Sequence, residues 1–446
     1  METFRTKLSN FLSPLNTGII KDINIGIDAN ILYFFYFAII LLRLPPINLF
    51  LIDLNILNSH SIARYILLFI TACLLFKKNK IRADDVLLLL FFISQSFSII
   101  GATDTSSFIL SYKNLFFGLL VYFSTIALIN TKKKVREIII ILIVTVTIYI
   151  IYEYVIYFHT NFFYGLRPLF YSSYWENLDV NYLRDRYFVD IFDFSLVPLI
   201  LYIISFNIWF LPLLAFLLYF AAVSGFRSHL LAYGIGLFFY FAWFKDGLTK
   251  KHFLLISIFF IATVAYFVSN QPYLTQLTTI TRIIDNPEES QLTVNSRLQM
   301  WGKALEIGTG HLSTGVGLGN YYLYSYKPNN IITASNWSKR FDKITDFSPH
   351  NLFFSTFAET GIIGLIGLFG LITYWFLADL KLYFQNAVDR LYIVIIFCFW
   401  SLFSYAMLNP AMPAAQYTIL FWLFRGLIQN FYNGKIRKNI VVSRPA

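Results

Sequence analysis

The run SPHNLFFSTFAETGIIGLIGLFGLITYWFL, residues 348–377, decides the fold. From Leu352 to Leu377 its only charge is Glu359. A helix rises about 1.5 Å per residue, and roughly 20 apolar residues cross a hydrocarbon core, so this run predicts a membrane span. Ser348 suits an N-cap, Pro349 the first helical position, and His350 then falls in the first turn. Gly361, Gly364, Gly367 and Gly370 recur every third residue, a spacing that predicts close packing of a neighbouring helix.

Apolar runs of this kind recur along all 446 residues. Working outward from the quoted stretch, about twelve spans are expected, of the roughly 17–25 residues a helix needs to cross. They centre on 31–44, 61–76, 86–101, 114–129, 138–157, 191–205, 209–223, 228–244, 253–268, 352–377, 391–408 and 417–431. Bulk composition agrees: 57% of residues are hydrophobic and 13% charged, against about 25% charged in a soluble domain. Mean hydropathy is +0.63. Ten-residue strands of alternating polarity, the mark of an outer-membrane barrel, are missing from the sequence. The fold class is all-α and polytopic. Asn30 and Pro45-Pro46 flank the first segment without a small-residue cleavage site, which predicts a retained helix. Cys73 and Cys398 lie far apart in apolar segments and read as small buried hydrophobes.

Basic residues set the expected orientation. With the N-terminus cytoplasmic, Lys77, Lys78, Lys80 and Arg82, then Lys132, Lys133, Lys134 and Arg136, fall on the inner side. So do Lys245, Lys250, Lys251, Lys381, Arg390, Arg425, Lys435, Arg437 and Lys438, most of the rest of the 35 Lys and Arg outside the two long loops. Only Arg43, Arg64, Lys113 and Arg227 oppose them once those loops are set aside. Both termini then face the cytoplasm, and both long loops, 158–190 and 270–350, face outward. The net charge of +11 is a topology signal with added attraction to anionic membrane lipids, and needs no nucleic acid. The whole chain, 1–446, reads as one integral membrane domain whose two loops cap the bundle. The larger loop joins the ninth and tenth spans.

That larger loop carries the chemistry. The chain has no Walker sequence, and Gly315-Val316-Gly317-Leu318-Gly319 follows no strand-then-helix pattern. These glycines read either as a turn or as a place where backbone approaches a ligand. The six histidines never fall at metal-ligand spacing, so no metal and no other cofactor is expected. Arg297, Trp301 and Ala304 share one face of a helix at i, i+4 and i+7. Arg297 is either a surface cation or an anion ligand. Arg227, in a short neutral outer connection, either snorkels to lipid phosphate or holds a dedicated anion. Arg184 and Arg186 either pair locally with Asp179, Asp185 or Asp190 or join an anion site. His350, at the positive end of a helix dipole and among its expected free N–H groups, suits a neutral imidazole able to accept a proton. Glu359 lies about half a turn round the helix from His350, too far to partner it directly.

Phe226-Arg227-Ser228 with Leu230-Leu231, the run Asn295-Ser296-Arg297-Leu298-Gln299-Met300-Trp301, Thr314 through Gly319, and His350-Asn351 followed by Glu359-Thr360-Gly361-Ile362-Ile363-Gly364-Leu365 together resemble the O-antigen ligase/polymerase superfamily. The resemblance extends over most of the chain. It implies a membrane glycosyltransferase of the GT-C type acting on an undecaprenyl-diphosphate-linked glycan at the outer face of the inner (plasma) membrane. Arg227 and Arg297 would hold the diphosphate, with Arg186 and Arg184 as further basic positions. His350 would deprotonate or orient the acceptor hydroxyl, and Asn351 and Trp301 would position it. The donor is already activated, so such a site needs cations and a base, without metal or ATP. The acceptor would be lipid A-core for a ligase, or a second lipid-linked glycan for an O-antigen, capsule or exopolysaccharide polymerase. The sixteenth residue after Arg297 is Ser313 where some polymerases place glycine, which favours a ligase. A flippase or transporter for the same lipid-linked glycan is the alternative of a different class. It would place charges near mid-membrane, whereas Lys113, Asp193 and Arg227 lie near outer span ends.

Overall fold

The computed structural model describes residues 18–43, 59–75, 83–158, 287–325, 349–384, 390–407 and 415–432. Among them every regular element is helical. We label them α1 (Gly18–Arg43), α2 (Ser59–Leu75), α3 (Ala83–Ser96), continued by a 3-10 turn at Phe97–Gly101, α4 (Thr105–Leu128) and α5 (Lys132–Phe158). Then follow α6 (Pro287–Gly310), α7 (Tyr321–Ser325), α8 (Leu352–Phe384), α9 (Arg390–Ala406) and α10 (Ala415–Tyr432). Each expected span that falls on described residues coincides with a helix. The first helix begins earlier than its apolar core, at Gly18. The expected spans 191–205, 209–223, 228–244 and 253–268 lie outside the described residues.

Two of these helices, residues 105–128 and 352–381, are long and apolar enough to cross a membrane by length and composition. The bundle is dressed as lipid demands. On α8, Ile362, Ile366, Phe369 and Phe376 form one exposed apolar stripe at the i, i+4, i+7, i+14 spacing of a single helix face. Water would not tolerate such a stripe, but hydrocarbon does. Inside, α4 and α10 are the central pair, and glycine lets them meet: a Cβ on Gly118 would lie 2.1 Å from the Trp422 ring, and one on Gly426 would lie 2.8 Å from Thr125 Cβ. Asn430 Nδ2 donates to the Thr125 carbonyl at 3.0 Å and the Ile129 carbonyl at 2.6 Å. The second bond serves the Ile129 carbonyl at the C-cap of α4, beyond the reach of intrahelical donors, while Thr125 O also accepts from Ile129 N at 2.9 Å.

Arg425 departs from its expected place among the inner connections. It is fully buried in α10 and paired with Asp379 of α8 at 2.9 Å. Its guanidinium lies 4.7 Å from the Trp375 ring centre, and Trp400 Nε1 donates to the same carboxylate at 2.9 Å. A charge in hydrocarbon persists only when partnered in this way. Arg425 therefore ties α10 to α8 and counts for little in the orientation tally. Arg43, counted outward, is likewise buried at the end of α1.

The 33 residues of α8 give about 50 Å of helix, well beyond the roughly 30 Å of a hydrocarbon core. The excess has a use. Helix α8 breaks at Gly361 (φ 64°, ψ −164°), and the turns before the break are covered by α6. Pro287 opens α6, a position that suits its fixed φ. Ala304 is buried between α6 and α8. A Cβ on Gly308 would strike the Phe357 ring at 2.4 Å. The segment expected as a loop thus contains a helix that runs alongside α8 and delivers the glycine run to the break.

Candidate functional site

The glycine run is seated in the break of α8. In an unbroken helix the Ile362 amide would bond to the Ala358 carbonyl. Instead Ile362 N donates to Leu312 O at 2.8 Å, while Ala358 O accepts from Val316 N at 3.1 Å and Glu359 O from Gly317 N at 2.9 Å. The loop therefore supplies the hydrogen bonds that the helix gives up. Gly315, Gly317 and Gly319 all have positive φ, 66°, 96° and 77°, a region that side-chain-bearing residues enter at a cost. Their close approach is to the chain itself. Cβ atoms there would lie 2.3 Å from the Glu359 carbonyl carbon, 2.6 Å from Ala102 Cα, and 2.2 Å from Ser111 Oγ. Of the four spaced glycines in α8, Gly361 makes the break, Gly364 and Gly367 meet Gln95 and Ser94 of α3, and Gly370 faces nothing within 4 Å.

Side chains lock this seat from both sides. Buried Asn320 accepts from Asp104 N at 2.7 Å and donates back to Asp104 O at 3.1 Å. Asp104 in turn caps α4 through Ser106 N at 2.9 Å. The Glu359 carboxylate accepts from Tyr321 N at 3.4 Å, so its side chain serves the glycine turn and the start of α7. Tyr321 donates its hydroxyl to Met300 O at 3.0 Å. Burial, reinforced by the Glu359 charge, pushes its phenol far above the ordinary tyrosine range, so it stays a donor. Asn320, Asp104 and Glu359 escaped the sequence reading as a group. The alternation Gly-x-Gly-x-Gly-Asn was the signal available, since such turns require a side chain to fix their far end.

The head of α8 differs from its expected form. Ser348 lies outside the described residues, and the helix begins at Leu352 with Asn351 as its cap: Asn351 Oδ1 accepts from Phe353 N at 2.9 Å and Phe354 N at 3.2 Å. Its Nδ2 donates to Met407 O at 3.1 Å, tying the cap to the end of α9. The amides expected to await an anion are thus largely taken by the chain itself. Asn351 wins over Ser348 because an asparagine carboxamide can cap with one end and anchor with the other. His350 is left just outside the helix, with φ at 53°. No other non-glycine described residue has a positive φ. Such a conformation costs a β-carbon-bearing residue about 1–2 kcal/mol, and strain of this sort concentrates at functional positions.

Trp301 fixes the backbone beside that histidine. Its Nε1 donates to Pro349 O at 2.8 Å, and its ring stacks on Phe354 at 5.3 Å. Arg297 lies on the same face of α6, one turn, or about 6 Å, before Trp301. It is half-buried, which holds its guanidinium below the ordinary value. No carboxylate pairs with it among the described residues. The structure thus brings Trp301 to the backbone beside His350 and Asn351, with Arg297 one turn of α6 before Trp301. Arg227, Arg184 and Arg186 lie outside the described residues. Trp301→Phe should keep the stack on Phe354 and lose the bond to Pro349. About 1 kcal/mol of stability is expected to go with that bond, measured by thermal unfolding in detergent; an unchanged midpoint would show the contact to be idle.

A helical bundle with apolar exposed faces and a buried ion pair, in which two helices are long and apolar enough to span, suggests a membrane protein. Residues 212–369 are similar to the family whose model is described as O-Antigen ligase. The matched stretch contains Arg227, Arg297, Trp301, His350 and Asn351, and excludes Arg184 and Arg186. A comparison with curated proteins returned no match.

Proposed function

We propose that the chain is an O-antigen ligase-like glycosyltransferase, moving an undecaprenyl-diphosphate-linked glycan onto lipid A-core at the outer face of the inner membrane. The observation that carries this reading is the strained His350, held between the Asn351 cap and the Trp301–Pro349 bond, with Arg297 one turn of α6 before Trp301. A base and a cation on the two elements joined by that bond suit an acceptor hydroxyl and a departing diphosphate. His350 takes the proton from the hydroxyl as its oxygen attacks the anomeric carbon. The glycosyl bond to the diphosphate breaks, and Arg297 with Arg227 neutralises the charge left on it. Arg184 and Arg186 are assigned a lesser part in the same binding, outside the family match. Trp301 and Asn351 position the histidine. Neither metal nor nucleotide enters this scheme.

The test is to incubate the purified protein with lipid-linked glycan and, separately, lipid A-core or a second lipid-linked repeat. Elongation of the second repeat in place of lipid A-core would make the enzyme a polymerase. Elongation of neither, with movement of the glycan between leaflets, would make it a flippase. Arg297→Ala or Arg227→Ala should weaken use of the donor by about 1.5–3 kcal/mol, the worth of a charge-assisted bond. Lysine should rescue only in part, because an ammonium cannot make the paired bonds of the planar guanidinium. Normal donor turnover by both well-expressed variants would remove the diphosphate clamp. Orientation is tested with Cys73 and Cys398 first replaced by alanine. A cysteine introduced in the segment 270–349 should then react with a membrane-impermeant thiol reagent from outside, and one beside Lys133 should not. The reverse pattern would end the outer-face assignment.

A further inference from the structure

Two cations stand apart from this site and are unused by it. Arg64 of α2 and Lys113 of α4 both lie within the apolar lengths of their helices. Arg64 Nη2 donates to Asn114 Oδ1 at 3.3 Å, and its guanidinium sits 5.5 Å from the Phe117 ring centre. Phe117 is one turn beyond Lys113, on the same face of α4. Arg64 is thereby held against the face that carries Lys113, and the two lie within electrostatic reach of one another. Neither forms an ion pair with a carboxylate among the described residues. Ser107 and Ser111, which meet the glycine seat, are on roughly the opposite side of α4 from Lys113, at 100° per residue.

Like charges side by side in an apolar setting are unfavourable, and intramembrane cations persist where something anionic meets them. The surroundings say from which direction. Tyr65 and Phe69 on α2, and Ile109 and Leu110 on α4, are exposed, which is the signature of a lipid-facing wall. Leu110 and Ile109 precede Lys113 by three and four residues, so Lys113 opens toward that wall. In the alternating topology expected from the basic residues, α2 and α4 run in the same direction. Side chains on both lean back toward the helix N-termini at Ser59 and Thr105. Both cations therefore reach up toward one headgroup layer, while Asn114 and Phe117 fix Arg64 in advance. A snorkelling residue needs no such bracing.

We propose that Arg64 and Lys113 form a binding site for the phosphate of an anionic membrane lipid, approached from the bilayer between α2 and α4. The guanidinium supplies two donors in one plane and the ammonium a second charge, a combination suited to a phosphodiester that carries net negative charge. The site is independent of glycan transfer, and its test does not read activity.

Thermal unfolding of the full chain in neutral detergent should respond to phosphatidylglycerol with a rise of about 2–4 °C. Phosphatidylcholine and inorganic phosphate should leave the midpoint unchanged. The Arg64→Gln/Lys113→Gln double variant should lose most of the rise. An equal rise in wild type and variant, or none in wild type, overturns the proposal. So does an equal response to inorganic phosphate, which would mark a free-anion site. Should the double variant fail to fold, the wild type still decides: phosphatidylglycerol bearing a photoreactive headgroup should label peptides from 59–75 and 105–128. Label confined to other peptides refutes the site, and displacement of the label by a polyprenyl diphosphate would reassign it to the donor.

Discussion

His350→Ala is expected to lower glycan transfer by a factor on the order of 10²–10⁴, the usual contribution of a positioned general base, while leaving donor binding intact. The rate of the wild type should fall on the acid side as the imidazole takes up a proton. That limb should vanish from the residual activity of the variant. A purely structural histidine predicts the opposite division, with folded protein lost and the pH profile unchanged in what remains.

The backbone offers a sharper separation. Because His350 holds φ at 53°, glycine suits its position better than any residue with a β-carbon. His350→Gly should therefore be at least as stable as His350→Ala, with about 1 kcal/mol in its favour from relieved strain, and equally poor in transfer. A histidine kept for packing would make glycine the worse of the two. Near-normal transfer by a stable His350→Gly protein would remove the histidine from the chemistry altogether.

The helices were legible because their signal is redundant: many apolar residues in a row leave few alternatives, and a shifted boundary changes little. Hence the expected spans over α2 to α5 and α8 to α10 coincide with helices despite imprecise ends. The alignment of Arg297, Trp301 and Ala304 was legible for a related reason, since helical spacing alone sets a shared face, and Ala304 is indeed buried on it. What failed depended on contacts across the chain. Ser348-Pro349-His350 satisfies every local rule for a helix start, yet Asn351 caps α8, its other end reaching Met407 just past α9, more than fifty residues away. Arg425 looked like a cytoplasmic flank because nothing near it in sequence announces Asp379 as its buried partner. The glycine run was recognisable as a turn, but its docking partner was not: only three-dimensional pairing shows that Gly361 opens α8 where Leu312, Val316 and Gly317 can bond to it.

That docking carries the last prediction. Gly315→Ala must place a methyl 2.3 Å from the Glu359 carbonyl carbon, where the neighbour is helix backbone and cannot swing aside. Adding left-handed strain of roughly 1–2 kcal/mol to overpacking of roughly 1–3 kcal/mol gives an expected loss of about 2–5 kcal/mol. Gly361→Ala attacks the same seam from the other side, its methyl 2.6 Å from the Ser313 carbonyl carbon, and should cost about as much. The double variant should lose much less than the sum, since either methyl alone already unseats the loop and the two residues share one interface. Gly302→Ala is the matched control. It lies in α6 with nothing within 4 Å of the added carbon, so it should stabilise by about 0.5–1 kcal/mol through helix propensity alone. Thermal unfolding in detergent reads all four variants, and limited proteolysis of the segment 287–325 reads whether the loop has left its seat. Transfer should fall in Gly315→Ala and Gly361→Ala and persist in Gly302→Ala, because α6, which carries Arg297 and Trp301, is held beside His350 partly by that seam. Full stability and tight protease resistance in Gly315→Ala would mean that the glycine run is not seated in the break of α8.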